Sequence, residues 1–306
     1  MDKIVLVKKD FINSRIDRWI KRNICSVPQG LIEKSLRNKN VTVNKLKVKS
    51  SYKLKTDDKI YLNNFHPNNS YHLSKKKKYI PSIRDIKVSD SFIVEDNENF
   101  CVINKPYGLA VQGGNKVKEN LVDLIAKNKI FLNSKPFIVH RIDKETSGIL
   151  IVAKNRKYAQ LFASLFRIRK IHKSYLSICH GEIEKVKGLF DCDLIRYDKD
   201  RKISERAITN YKVLDKNTNS TLLILNPITG RKHQIRKQLF SIGFPVIGDS
   251  KYYFSENKVN RNKHLMLHAY SIKFMINEKK YEYTVNVPDY FKKMLLIKRL
   301  TLFKNS

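Results

Sequence analysis

Residues 140–148 read HRIDKETSG and hold the side chains of this sequence best suited to chemistry. Asp143 lies among cations and just before an apolar run at 149–152. A turn before a buried strand can project a carboxylate at a sheet edge, and Gly148 permits close backbone approach. The alternative is a surface Asp paired with a neighbouring cation. Glu145 would complete a glycosidase-like carboxylate pair, but we expect it to be a solvated turn residue.

A second concentration of polar groups lies at residues 227–236, which read PITGRKHQIR. It follows an apolar strand candidate at 222–225 and supplies several donors, with no carboxylate before Asp249. If Asp143 stays ionised while partly buried, an Arg from another segment is its natural counter-ion. A guanidinium keeps its proton and binds both carboxylate oxygens. Phosphate binding by the Gly-Arg turn is the alternative, and both uses could coexist.

The composition describes a soluble and strongly cationic globular protein. The 306 residues include 62 basic and 28 acidic side chains, a formal net charge of +34, and 42% hydrophobic residues. These values exclude a collagen, a coiled coil and a wholly disordered chain. The charge favours a nucleic acid partner, because phosphate contacts release counterions. A membrane surface, plain solubility and the Lys bias of an AT-rich genome are alternatives.

The four cysteines indicate neither a disulfide scaffold nor a zinc site. Cys25, Cys101, Cys179 and Cys192 lie far apart, without metal-ligand spacing. The start of the chain has no secretory signal pattern, and no apolar run approaches the ~20 residues of a membrane span. We therefore expect a cytoplasmic protein that needs no metal and does not cross a membrane.

Residues 1–62 form a separate basic module with 16 basic and 6 acidic side chains. Apolar residues at 16, 19, 20 and 24 predict an amphipathic helix with Ser14 as its N-cap. A second helix at 31–37 and short strands from residue 41 follow. This order, with Arg15-x-Asp17 on the first helix and VTVN at 41–44, resembles the S4-type RNA-binding fold. An unrelated small α+β module with solvated charges is the alternative.

These patterns predict four parts of the chain. The S4-like domain spans 1–62 with its core at 13–62, a linker spans 63–90, and a large α+β domain spans 91–297 before a tail at 298–306. The large domain lacks the regular strand–helix alternation of a doubly wound sheet. Phosphate contacts in the first domain are expected from Arg15, Arg18, Arg22 and Arg37.

The motifs of the large domain resemble those of the RluA-type pseudouridine synthase family. Two of the family's patterns, His-Arg-Leu-Asp-x-x-Thr-Ser-Gly and Thr-Gly-Arg-x-His-Gln-Ile-Arg, match residues 140–148 and 229–236. Further matches lie at 104–108, 173–176, 207–211 and 267–269, and all six occur in the order of the family. Motifs in this order are far more specific than any one alone. The basic module and AVQGG at 110–114 look most like the bacterial ribosomal large-subunit synthase C branch. The resemblance implies a mixed, largely antiparallel central sheet behind an S4-type domain.

The resemblance also implies isomerisation of uridine to pseudouridine in 23S ribosomal RNA by a monomer without cofactor or metal. Asp143 would be the catalytic carboxylate, Tyr175 would stack on the flipped base and help to handle protons, and Arg236 would pair with Asp143. Whether Asp143 attacks C1′ or takes a proton from C2′ stays open. RNA contacts are expected from Arg141, which would fill the gap left by the flipped nucleotide, and from Arg231, His233 and Lys105.

The sequence departs from the family pattern near residue 240. Lys237 replaces a Val, Gln238 replaces a His, and Phe244 replaces the His of Gly-His-Pro. These changes put packing and RNA contacts there in doubt, and none falls on a catalytic position. His140 and His268 are expected to be structural hydrogen-bonding groups. Two other functions stay open, an RNA-binding ribosome assembly factor with a degenerate synthase domain and the same isomerase acting on tRNA.

Overall fold

The computed structural model describes residues 3–7, 11–24, 27–63, 65, 79, 81–113, 119–198, 201–255 and 264–302. The chain divides into two compact units, Met1–Lys78 and Tyr79–Ser306. Each unit has a hydrophobic core of its own. Cys25 and the four consecutive lysines at 75–78 of the predicted linker lie outside the described residues.

The first unit combines two helices with a small antiparallel sheet. The helices are α1 (Ile16–Asn23) and α2 (Gln29–Arg37), and the strands are β1 (Lys3–Leu6), β2 (Val41–Val43) and β3 (Lys59–Leu62), in the order β1-β3-β2. Ile16, Trp19 and Ile20 are buried with Ile32 and Leu36 in one core, as the helical spacing predicts.

The start of α1 differs from the sequence prediction, because the N-cap is Arg15 and not Ser14. The Arg15 guanidinium binds Asp17, with Nη2 2.6 Å from Oδ2. Asp17 also accepts hydrogen bonds from the Arg18 backbone N–H and the Gln29 side chain, at 2.7 and 3.0 Å. Burial raises the pKa of Asp17, but these hydrogen bonds outweigh burial and lower the pKa overall. The Arg-x-Asp pattern therefore joins α1 to the start of α2.

The second unit is built on a ten-stranded sheet in the order β4-β5-β7-β12-β8-β11-β10-β9, with β6 beside β7 and β13 beside β12. Its strands are β4 (Ile93–Asp96), β5 (Phe100–Lys105), β6 (Phe137–Ile138), β7 (Ser147–Ala153), β8 (His172–His180), β9 (Lys187–Asp198), β10 (Arg201–Asn217), β11 (Ser220–Pro227), β12 (Leu267–Ile276) and β13 (Lys279–Thr284). Its helices are α3 (Ile83–Asp90), α4 (Leu121–Ile125), α5 (Arg156–Arg167), α6 (Gln234–Ser241) and α7 (Asp289–Ile297).

The sheet is mixed and largely antiparallel, as predicted. The one parallel pairing among the named strands joins β7 to β12, through Ser147 to His268 and Gly148 to Ala269. Gly148 has φ +109°, and the Ala269 backbone occupies the space a Cβ would need. This glycine therefore lets β12 approach β7 directly after the turn that carries Asp143.

The predicted linker and tail are both shorter than the sequence indicates. Helix α3 begins inside the predicted linker 63–90, with a capping box between Ser82 and Asp85. Asn128 donates 2.9 Å hydrogen bonds to Ser89 and Asp90, so α3 belongs to the second unit. In the predicted tail 298–306, Leu300 is buried in the core. The hydrophobic pattern of the sequence does not predict α3, because polar capping and hydrogen bonds hold this helix in place.

Helix α5 contributes to the core through its apolar side. Phe162 is fully buried and lies edge-on to Phe100 and Phe274, with ring centroids 5.4 and 5.3 Å away. Such pairs stabilise a core beyond the area they bury. One side of α5 is thereby fixed to the sheet, and its Ala163, Phe166 and Arg167 reach the cavity described below.

Candidate active site

A cavity of about 530 Å³ opens in the second unit beside Asp143. Among the segments that line it, three carry residues singled out in the sequence. They are the turn before β7, strand β8, and the segment from the end of β11 into α6. The two motifs that stand out in the sequence therefore lie on one cavity, a placement consistent with a binding site.

Backbone contacts hold the turn that carries Asp143. The Thr146 N–H donates to the Asp143 carbonyl at 3.1 Å, and the Gly108 N–H donates to the Lys144 carbonyl at 3.0 Å. The Lys105 amine donates to the same Lys144 carbonyl at 3.2 Å. The Asp143 side chain is 23% exposed, so its carboxylate faces the cavity and stays accessible to a substrate.

Lys105 holds the fold together and is not available to RNA, which corrects the sequence prediction. It is fully buried, and its amine also donates to the Pro106 and Leu109 carbonyls at 2.9 Å each. Burial lowers the pKa of Lys105 to about 7. The three carbonyls match the three donors of the charged amine, so Lys105 ties the Asp143 turn to the segment that follows β5.

Arg236 is the buried cation of the site, and its main partner is Asp249. Its Nε and Nη2 atoms each lie 2.6 Å from an oxygen of Asp249, a bidentate pair with both side chains almost fully buried. Nη1 lies 3.6 Å from Asp143. The predicted pair with Asp143 is therefore present, but it is longer than the pair with Asp249.

Glu145 is a third carboxylate on the same guanidinium, which corrects the expectation of a solvated turn residue. Its Oε2 atom lies 3.0 Å from Arg236 Nη2, and its Oε1 atom accepts a 2.9 Å hydrogen bond from Ser250. Burial lowers the pKa of Arg236, but Asp249, Glu145 and Asp143 more than offset burial and raise it. Arg236 is therefore charged in the site.

The buried Asp249 also caps the chain that follows it. It accepts backbone hydrogen bonds from Lys251 and Tyr252 at 2.8 and 3.0 Å. The Arg236 guanidinium lies over the Tyr252 ring at 5.4 Å, and the Tyr252 hydroxyl is 3.0 Å from His233 Nδ1. These contacts fix the direction in which Arg236 Nη1 points.

His233 faces Asp143 from the start of α6. It has a left-handed backbone (φ 55°), and its Nε2 lies 3.7 Å from Asp143 Oδ1. Burial lowers its pKa, with the nearby Asp143 charge acting in the opposite direction. The sequence predicts an RNA contact for this residue, and the structure adds that its ring borders the carboxylate.

Tyr175 lies on β8, lines the cavity and packs against two core clusters. Burial, reinforced by the Asp143 charge, raises the pKa of its phenol, which is therefore protonated at neutral pH. The structure thus brings Asp143, Arg236 and Tyr175 to one cavity.

The other predicted RNA contacts stand in different environments. Arg141 and Arg231 are exposed and line the cavity, and Arg231 pairs with Glu205 at 3.3 Å. In the first unit Arg18, Arg22 and Arg37 are exposed. Arg15 pairs with Asp17, and its side chain is 42% exposed.

The two motif histidines are hydrogen-bonding groups of the fold, as expected. His140 Nε2 accepts a 2.9 Å bond from the Ile151 N–H, and burial lowers the pKa of His140 to about 3. His268 Nδ1 lies 2.9 Å from the Ser147 hydroxyl, and burial lowers its pKa to about 4. Gln238 is buried and bonds Thr209 at 2.7 Å, so it serves packing rather than RNA contact.

Within the described ranges, no group of three or more His, Cys, Asp or Glu side chains is placed to hold a metal ion. None of the helices in those ranges is long and apolar enough to cross a membrane.

Residues 99–241 match the family described as RNA pseudouridylate synthase. The human protein RNA Pseudouridylate Synthase Domain Containing 4 has a similar structure, with a TM-score of 0.61, 26% identity, and coverage of 72% of this chain and 99% of that one.

Curated relatives extend the match over most of the chain. Ribosomal large subunit pseudouridine synthase C of Rickettsia conorii is 34% identical over 306 residues, covering 93% of this chain and 97% of the relative. The protein of the same name from Buchnera aphidicola subsp. Baizongia pistaciae is 30% identical and covers 92% of each chain. The chain belongs to the RNA pseudouridine synthases, which confirms the family indicated by the sequence motifs.

Proposed function

We propose that this enzyme converts specific uridines of 23S ribosomal RNA to pseudouridine, with Asp143 as its catalytic carboxylate. The relatives named above act on the ribosomal large subunit, and their similarity covers more than nine-tenths of this chain. The observation that carries the proposal is the accessible Asp143 carboxylate, 3.6 Å from the buried Arg236 and on one cavity with Tyr175.

The chemistry of the isomerisation needs an anion beside the sugar. The C1′–N1 bond breaks, the uracil turns, and C5 bonds to C1′. Asp143 assists either by bonding to C1′ or by taking a proton from C2′. The positive charge of Arg236, 3.6 Å from Asp143, complements the negative charge that the reaction needs beside the sugar. Tyr175 stacks on the flipped base, and Arg141 at the cavity mouth fills the gap that the base leaves in the RNA.

The first unit supplies affinity for RNA in this proposal, as an S4-like domain. Its helices and three-stranded sheet carry exposed Arg18, Arg22 and Arg37. A hollow of about 360 Å³ is lined by three cations, Arg37, Lys47 and Lys49, and by one carboxylate, Glu33, so its excess of positive charge suits a phosphate-bearing ligand. The enzyme works as a monomer in the cytoplasm, where its rRNA substrate lies.

A pseudouridine map tests the proposal. The purified protein is incubated with a 23S transcript, with a tRNA pool as the second substrate, and the modified positions are located by sequencing. New pseudouridine at discrete 23S sites is the expected result. Modification of tRNA alone would move the target to tRNA. Tight RNA binding without any isomerisation would favour an assembly factor and refute the proposal.

A further inference from the structure

Lys173 is a cation in the cavity that has no role in the mechanism proposed above. It lies on β8 two residues before Tyr175, so both side chains project from the same face of the strand, about 7 Å apart along it. Both residues line the cavity. A base stacked on Tyr175 would therefore present one of its edges toward the Lys173 amine.

The Lys173 amine has no anionic partner in the part of the chain that the structure describes. No carboxylate there lies within 4.0 Å of it, and burial alone lowers its pKa. The nearby His140 is neutral, because burial lowers its pKa to about 3 and the Lys173 charge acts in the same direction. Arg236 on the same cavity has three carboxylates around it. An unpaired amine in a cavity costs stability and points to an anion that arrives with the substrate.

The reaction creates such an anion. When the C1′–N1 bond breaks, its electron pair stays on the uracil and spreads over O2 and O4, whichever way Asp143 acts. The C5–C1′ bond then forms, C5 loses its proton, and N1 gains one, so that the product is an isomer of the substrate. Asp143 is itself anionic and cannot stabilise this charge.

We infer that Lys173 donates a hydrogen bond to a carbonyl oxygen of the flipped uracil and stabilises the negative charge that develops on the base as the glycosidic bond breaks. This inference rests on the proposed function. Preorganised donors aimed at developing charge are among the strongest contributions to enzyme rates. A backbone phosphate is the competing ligand, but Arg141 and Arg167 are exposed at the cavity and better placed for the RNA backbone.

Single-turnover kinetics on the 23S substrate test the inference, with RNA affinity measured in parallel. Lys173→Met should slow the chemical step by roughly 10²-fold or more at saturating enzyme. The Kd should change by less than about twofold, because Lys173 does not bind a phosphate in this assignment. Lys173→Arg should retain most of the rate. Lys170→Met removes an exposed lysine near the start of β8 and should match the wild type. Thermal melting of each variant checks its fold.

Chemical rescue separates a charge role from a packing role. Ethylamine added to Lys173→Ala should restore part of the lost rate, and tetramethylammonium at equal ionic strength should not, because it has no N–H donor. A slow Lys173→Met that neither arginine nor the amine restores would assign Lys173 to packing and overturn the inference. An unchanged rate with weaker binding and a flatter salt dependence would make it a phosphate contact, which also overturns it.

The assay distinguishes the two proposals. A wild-type protein that makes no pseudouridine would refute the proposed function and, with it, the role of Lys173. An active wild type whose Lys173→Met variant reacts at full rate would refute only the inference.

Discussion

Three arginines of the first unit and Arg236 of the second unit lie in opposite environments. In the first unit Arg18, Arg22 and Arg37 are exposed. In the second unit Arg236 is 2% exposed, and Asp249 binds it through both carboxylate oxygens. Exposed cations attract phosphate through a field that salt screens, whereas a buried pair is screened little and fixes geometry. The net charge of +34 therefore indicates a nucleic acid partner, and the buried charged groups indicate where the reaction takes place.

Among the arginine substitutions, removal of the buried Arg236 should cause the largest loss of both activity and stability. Arg236→Met takes the counter-ion from Asp143 and leaves Asp249 buried without its partner. We expect single-turnover isomerisation to fall by roughly 10²–10³-fold or more and the free energy of unfolding to fall by about 3–5 kcal/mol. Urea unfolding and pseudouridine formation measure the two losses.

Arg206→Met is the matched control for Arg236→Met, because Arg206 is exposed and pairs with Asp191 on the surface. It should cost less than about 1 kcal/mol of stability. Equal effects of the two variants would show that burial does not distinguish the arginines.

Asp249 and Glu145 sharpen the comparison within the site. Asp249→Asn keeps the shape but weakens the bidentate pair that aims Arg236, so we expect the rate to fall by roughly 10-fold or more while the Kd for RNA stays nearly constant. Glu145→Gln removes the more exposed partner and should have a smaller effect on the rate. A pH–rate profile for each variant, compared with that of wild type, shows whether the pH dependence of the reaction has changed. A larger loss for Glu145→Gln would contradict the assignment of Asp249 as the main partner.

The exposed arginines of the first unit should affect binding and leave chemistry unchanged. Replacing Arg18, Arg22 and Arg37 by Gln should weaken RNA binding. The slope of log K against log salt should flatten by about 0.7–0.9 for each phosphate that the variant no longer neutralises. The single-turnover rate at saturating enzyme should stay within about threefold of wild type. Filter binding across a salt series measures the slope. An unchanged slope would remove the first unit from the RNA interface.

The buried histidines predict that the stability of the fold depends on pH. In the folded protein the pKa values of His140 and His268 are about 3 and about 4. Their unfolded value is about 6.5, so the unfolded chain binds more protons between these limits. Stability should therefore fall as pH drops from about 6.5 toward about 4, at no more than about 1.4 kcal/mol per pH unit for each histidine.

His140→Asn should flatten this dependence in urea unfolding measured from pH 7 to pH 5. The same slope in the variant and in wild type would mean that His140 titrates normally in the folded protein.

The sequence could predict the elements and residues that a local pattern encodes. Helices α1 and α2 follow from apolar spacing, and the Asp143 turn and Arg236 follow from their motifs. Partners set by tertiary contact could not be predicted. Asp249 lies 13 residues after Arg236, beyond the end of α6, and nothing in the intervening sequence indicates that the two meet.

Lys105 shows how a type-based inference fails. A lysine in a basic protein suggests a phosphate contact, but this one ends the apolar strand β5 and precedes a turn whose carbonyls surround its amine. The apolar run of β5 is the signal in the sequence that could have indicated burial. Glu145 is similar, because its partial burial depends on Ser250 and Arg236, both more than 90 residues away in sequence.

Single-turnover isomerisation of the 23S substrate by Asp143→Asn tests the central claim most directly. Asn keeps the size of the side chain and removes its charge, so RNA should bind with a Kd within about threefold of wild type. Pseudouridine formation should fall by roughly 10⁴-fold or more, as when an enzyme loses its reacting group. Isomerisation by Asp143→Asn at a rate near that of wild type would contradict the claim that this carboxylate carries the reaction.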